Sequence, residues 1–159
     1  MKKMLSRGLV IAGMLSAPMA LTTIELPAVA SEYQNDPRLV RLKRFFQAGD
    51  CPAQDFSEEF LRAADRHNLD WRLLPSISLV ESGGGRDARN NNLFGWDGGK
   101  AIFTSVRAGI HQVAGRLANS KIYRDKDVDE ILRLYNPPNA NYPQVVKSVM
   151  RRISPSEKL

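Results

Sequence analysis

The sequence predicts an all-α domain of about six helices carrying one short irregular insertion. Three observations predict it. Apolar residues recur at helical spacing over most of residues 36–153. Helix start signals precede most of these stretches, and residues 82–103 interrupt them with six glycines and three consecutive asparagines.

Asp36-Pro37 opens the first helix, a capping residue followed by proline at the first helical position, and Gly49 closes it after Ala48. Cys51-Pro52 belongs to a connector. Asp55-Phe-Ser-Glu58 has the spacing of a capping box, and the helix it opens runs through Phe60, Leu61 and Ala64 to about Asn68. Leu69-Asp70 is a turn, with Asp70 as the expected cap of a helix ending near Glu81. Pro75 lies inside that stretch, so either the helix starts late with Pro75 in its first turn or it is kinked. Thr104 or Ser105 begins a helix through Val106, Ile110, Val113 and Leu117. A shorter one covers Asp127 to Tyr135, stopped by Pro137-Pro138, and the last runs from Tyr142 or Pro143 to Ile153.

The first thirty residues are a different kind of chain. Met1-Lys-Lys-Met-Leu-Ser-Arg7 is basic, Gly8 to Leu21 is apolar and uncharged, and Ala28-Val-Ala30 offers the small residues of a cleavage site. This is the pattern of a secretory signal over residues 1–30. The apolar run, broken by Pro18 and Glu25, is short for a ~20-residue membrane span. The expected product is a periplasmic or secreted protein, peripheral to a membrane at most. Residues 31–55 form an N-terminal helix and connector, 56–154 the main domain and 155–159 a tail.

Of the 159 residues, 23 are Lys or Arg and 17 Asp or Glu; without the three basic residues and one acidic residue of the leader, 20 face 16, a net +4. Such a charge suits an anionic polymer or surface. No run of like charge marks a nucleic-acid tail, so no nucleic-acid partner is expected. Cys51 is the single cysteine, which excludes an internal disulfide framework. With only His67 and His111 beside it, neither a metal site nor a cofactor is expected.

Glu81 is the residue that asks for a function. At ~100° per residue from Leu73, Ile77 falls at about 40°, Leu74 at about 100° and Glu81 at about 80°. A carboxylic acid therefore sits inside the apolar stripe, in the last turn, at the negative end of the helix dipole. Both burial and dipole disfavour the anion and raise the pKa, which equips Glu81 to act as a general acid. Gly83, Gly84 and Gly85 follow at once. A glycine can end the helix in left-handed conformation, and the side-chain-free run is expected to leave space beside the carboxyl for a substrate. The alternative is a helix-end glutamate that bends into solvent.

The stretch Leu73-Leu-Pro-Ser-Ile-Ser-Leu-Val-Glu-Ser-Gly83 resembles the catalytic helix of the lysozyme-like superfamily. Asn91-Asn-Leu-Phe-Gly95 and Phe103-Thr-Ser-Val-Arg-Ala-Gly109 resemble segments of its peptidoglycan N-acetylglucosaminidase branch. Tyr135-Asn136 is similar to a late pair of the lytic transglycosylases. The resemblance covers residues 57–153 and implies a lysozyme-like fold and a glycosidase acting on peptidoglycan glycan strands. It implies that Glu81 protonates the glycosidic oxygen and that Ser82 helps hold the carboxyl or a substrate group. Asn92 would lie at the groove, Phe94 and Gly95 would shape its floor, and Tyr135 would support developing positive charge. Trp96 is either a sugar platform or a loop anchor. Asn90, Asn91 and Asn92 supply amides suited to acetamido sugars, and also favour turns. A glycoside hydrolase ordinarily needs a second carboxylate. The insertion offers Asp87 and Asp97, and Asp97 lies nearer the aromatic motif. Without one, the substrate's acetamido group or its 6-hydroxyl would complete the reaction. Hydrolase, transglycosylase and a non-catalytic wall-binding module on the same fold all stay open at this level.

Overall fold

The computed structural model describes residues 32–155; the expected signal sequence and residues 156–159 lie outside it. Six α-helices make up the described chain: α1 (Pro37–Gln47), α2 (Ser57–His67), α3 (Leu73–Ser82), α4 (Val106–Asn119), α5 (Val128–Tyr135) and α6 (Tyr142–Ile153). A 3-10 turn, Pro52–Phe56, joins α1 to α2, and no strand occurs among the described residues. No helix among them is long and apolar enough to cross a membrane.

Three helix starts follow from the sequence as expected. The Asp36 carboxylate accepts the Arg38 backbone N–H at 2.8 Å with Pro37 behind it. Ser105 caps α4 through the Ala108 N–H, and Asp127 and Glu130 form a reciprocal capping box on α5. Two starts differ. Pro52 nucleates the 3-10 turn, which absorbs Asp55 and runs directly into α2, so Asp55 and Glu58 form no capping box and α2 has no side-chain cap. Asp70 caps no helix terminus; its carboxylate instead takes the backbone N–H and guanidinium of Arg72, whose buried head also donates to the Ser154 carbonyl at 3.2 Å. Pro75 is the third residue of α3, where its missing N–H costs nothing.

α2 packs on α4, α3 on α6, and α5 on α6. α1 is part of this core. Leu42 and Phe46 are fully buried, Phe46 packs on Phe60, and Phe60 meets Phe94 edge to face at 6.3 Å. Arg38 at the start of α1 bridges to Asp65 on α2 at 2.7 Å. Residues 36–56 therefore belong to the same folded body as the rest.

Of the two uses expected for the glycine run after α3, the structure shows the helix stop and not the substrate space. Gly83 ends the helix in left-handed conformation (φ 60°), and the N–H groups of Gly83 and Gly84 reach back to the Leu79 and Ser78 carbonyls. A Cβ on Gly84 would lie 2.8 Å from Cys51 Cβ and 2.9 Å from its Sγ; one on Gly85 would lie 3.1 Å from Leu93 Cδ2. The space these glycines leave is filled by the protein's own core, chiefly the buried Cys51, and is not room for a substrate. Gly84→Ala combines left-handed strain with that clash, so it is expected to destabilise the fold by about 2–4 kcal/mol. Urea unfolding measures it, and adding Cys51→Ala should recover only the Sγ part of the packing loss, leaving the Cβ contact and the backbone share.

Candidate active site

Glu81 occupies the last turn of α3, half-buried, beyond the fully buried Leu74 and Ile77. The Tyr142 hydroxyl donates to its Oε1 at 2.5 Å. Its Oε2 lies against Gly95, where a Cβ would approach to 2.7 Å. Burial raises the carboxyl's pKa above the ordinary glutamate value, and the Tyr142 bond, which favours the anion, opposes it in part. Burial is the larger effect.

Tyr142 is the first residue of α6 and only 1 % exposed. Its ring stacks parallel on Tyr135 from the end of α5, centroids 5.8 Å apart, and Tyr135 meets Trp96 edge to face at 5.6 Å. An aromatic ladder thus runs from the carboxyl out to the loop. Burial and the nearby Glu81 carboxyl hold both tyrosine hydroxyls protonated, their pKa values pushed far up. The tyrosine bonded to Glu81 is Tyr142. Tyr135, assigned to that neighbourhood from sequence, spends its hydroxyl on the Phe94 carbonyl at 2.6 Å and supports the site through its ring.

The loop between α3 and α4 is built by its own polar groups. Asn90 and Asn91 take left-handed backbone (φ 55° and 58°), and Asn91 Nδ2 donates to the Phe103 carbonyl at 2.9 Å. Asn92 is 4 % exposed. Its Oδ1 accepts from the Phe94 and Trp96 N–H groups and its Nδ2 donates to the Trp96 carbonyl. It therefore folds the loop, and the groove role expected for it is not what its placement offers. Ser82 is likewise buried, with its hydroxyl 2.7 Å from the Leu93 carbonyl and accepting from the Gly85 N–H. It ties the loop to α3 and makes no bond to the Glu81 carboxyl. Phe94 is 1 % exposed and packs in the core, so it supports the groove only from beneath.

Gly95, Trp96 and Asp97 reach the surface. With Gly98, Ala101, Arg116, Tyr123 and Tyr135 they line a cleft of about 510 Å³. Glu81 is not a wall of this cleft; it stands behind Gly95, where its Oε2 meets the loop. Trp96 is both anchor and wall: it is partly buried against Tyr135 and Tyr123, and Arg116 lies over its ring at 5.9 Å. Asp97 is exposed on a left-handed turn (φ 55°), and its carboxylate has no ion pair or hydrogen bond among the described residues. Asp87 is also exposed and lines none of this cleft.

Tyr142, Tyr123 and Arg116 are the site residues that sequence reasoning passed over. A signal existed for the first. Tyr142, Val146, Val149 and Ile153 share one helical face, and a tyrosine on an otherwise apolar face needs a buried partner for its hydroxyl. No protein-family model matches the chain, and no curated protein matches it.

Proposed function

We propose that the protein is an exported peptidoglycan-cleaving glycosidase in which Glu81 is the general acid. One observation carries this reading. A glutamic acid biased toward protonation is held by one hydroxyl at 2.5 Å and presents its other oxygen to Gly95, which lines an aromatic-walled cleft. Flat aromatic faces with an acid behind one wall residue suit a glycan. Protonated Glu81 gives its proton to the glycosidic oxygen, the C1–O bond breaks, and positive charge develops on the sugar. The carboxylate left behind is charged in a half-buried site, beside the Tyr142 hydroxyl that favours that state.

Single-carboxyl chemistry needs only the groups this site holds, the Glu81 carboxyl and the Tyr142 hydroxyl bonded to it. Glu81 then takes the proton of the same sugar's 6-hydroxyl, whose oxygen bonds to C1. The product is an anhydro sugar, no water is consumed and the acid is restored. Mass spectrometry of fragments released from purified peptidoglycan by residues 31–159 tests this. Anhydro ends that vanish in Glu81→Gln support it. Reducing ends would instead place Asp97 in the reaction as the base that activates water. No fragments from folded protein would leave a wall-binding module.

The acid role fixes the pH profile. Activity requires protonated Glu81, so it falls as pH rises through the raised pKa, with an alkaline limb above the ordinary glutamate value of ~4.3. Tyr142→Phe removes the bond that lowers that pKa. The limb is expected to move to higher pH while the rate at the optimum falls roughly tenfold through lost positioning. A slower enzyme with an unmoved limb would reduce Tyr142 to packing.

A further inference from the structure

We infer that Arg116 selects carboxylate-bearing glycans over neutral ones, a step that rests on the glycan reading above. A second depression of about 220 Å³, lined by Ile102, Phe103, Gln112 and Val113, shares Trp96, Ala101 and Arg116 with the first. Arg116 is thus a wall of both depressions. Ile102, on the wall of the second, is 78 % exposed.

Five described arginines, Arg38, Arg62, Arg72, Arg107 and Arg124, are held by carboxylates, and Arg116 is not one of them. Arg116 has none among the described residues; its guanidinium is exposed and rests over the Trp96 ring. That stacking restrains the planar head while its N–H donors stay open to a bidentate acceptor. Asp97 shares the first depression and repels an anion there, whereas the second holds no acidic side chain. The second depression thus accepts a carboxylate beside Arg116. A peptide-free strand in which alternate amino sugars carry a lactyl ether with its carboxyl free presents such a group at regular intervals, and an otherwise identical neutral chain does not.

The test uses Glu81→Gln, which holds the ligand uncleaved. The probes are an amino-sugar tetrasaccharide bearing lactyl carboxylates and the same molecule with those carboxyls reduced to alcohols. Calorimetry at low salt is expected to show about tenfold tighter binding of the acid form. Adding Arg116→Gln should abolish that preference and leave affinity for the reduced form in place, while Arg116→Lys keeps part of it. Raising the salt should shrink the preference. Equal binding of the two probes, or a preference that survives Arg116→Gln, overturns the assignment to Arg116 and leaves the glycan reading standing. Binding of neither by folded protein takes down the glycan reading and this inference with it.

Discussion

Glu81→Gln is expected to reduce fragment release from peptidoglycan by roughly 10²–10⁴-fold, the range a positioned general acid supplies. The fold should not suffer. A glutamine oxygen can accept the Tyr142 hydroxyl as Oε1 does, and the amide has the carboxyl's shape. Stability then separates the catalytic role from a structural one. Because burial raises the Glu81 pKa, the protonated acid is the form the fold favours. Its contribution is fully present below the unfolded value of ~4.3 and is lost as pH rises through the raised folded value. The glutamine variant never ionises. At neutral pH it should melt at the same temperature as the wild type or up to a few degrees higher, and the difference should close as pH falls toward 4. The effect stays small because the carboxyl is only half-buried and solvent screens it. A variant that is inactive and also less stable at neutral pH would mean that Glu81 holds the structure.

What the sequence could reveal of this site depended on how local each cause is. Helix caps are local: Asp36-Pro37, Ser105 and Asp127 could be read because a cap needs only the next three residues. Asp55 misled for the same reason, since its spacing fits a capping box while Pro52 commits it to a 3-10 turn. Glu81 was legible through period alone, a charge on the apolar face of a helix whose other members are buried. The partners were not. Tyr142 reaches Glu81 from α6, and the match of one buried hydroxyl to one carboxyl exists only once α3 and α6 pack. The glycines after α3 could be read as special, but the object they make room for, Cys51, lies beyond α2 in the chain. Asn92 and Ser82 have chemistry equally suited to a sugar and to a backbone, and burial decides for the backbone. The glycine that does border the carboxyl is Gly95, in the loop and not in the run.

Gly95→Ala should therefore be the most damaging change in the loop. Gly95 has φ 58°, so any side chain there carries left-handed strain, of order 1–2 kcal/mol. Its Cβ would also sit 2.7 Å from Glu81 Oε2 and 3.5 Å from Cδ. The loop cannot easily retreat. On one side Tyr135 grips the Phe94 carbonyl at 2.6 Å; on the other, Asn92 holds the Trp96 N–H at 3.0 Å. The carboxyl must give way, and swinging it costs the Tyr142 bond and its aim past Gly95. A misplacement on the scale of an ångström is worth about 100-fold in rate, so Gly95→Ala is expected to lose about that much activity. Gly99→Ala is the matched control. Gly99 also has positive φ, 81°, but a Cβ there meets nothing within 4 Å. Both variants should lose similar backbone stability in thermal melts, and only Gly95→Ala should lose cleavage. If both lose it alike, loop stability governs the rate. If neither does, the carboxyl works without its present contact to the loop, and the site cannot be centred on the face of Glu81 that Gly95 borders.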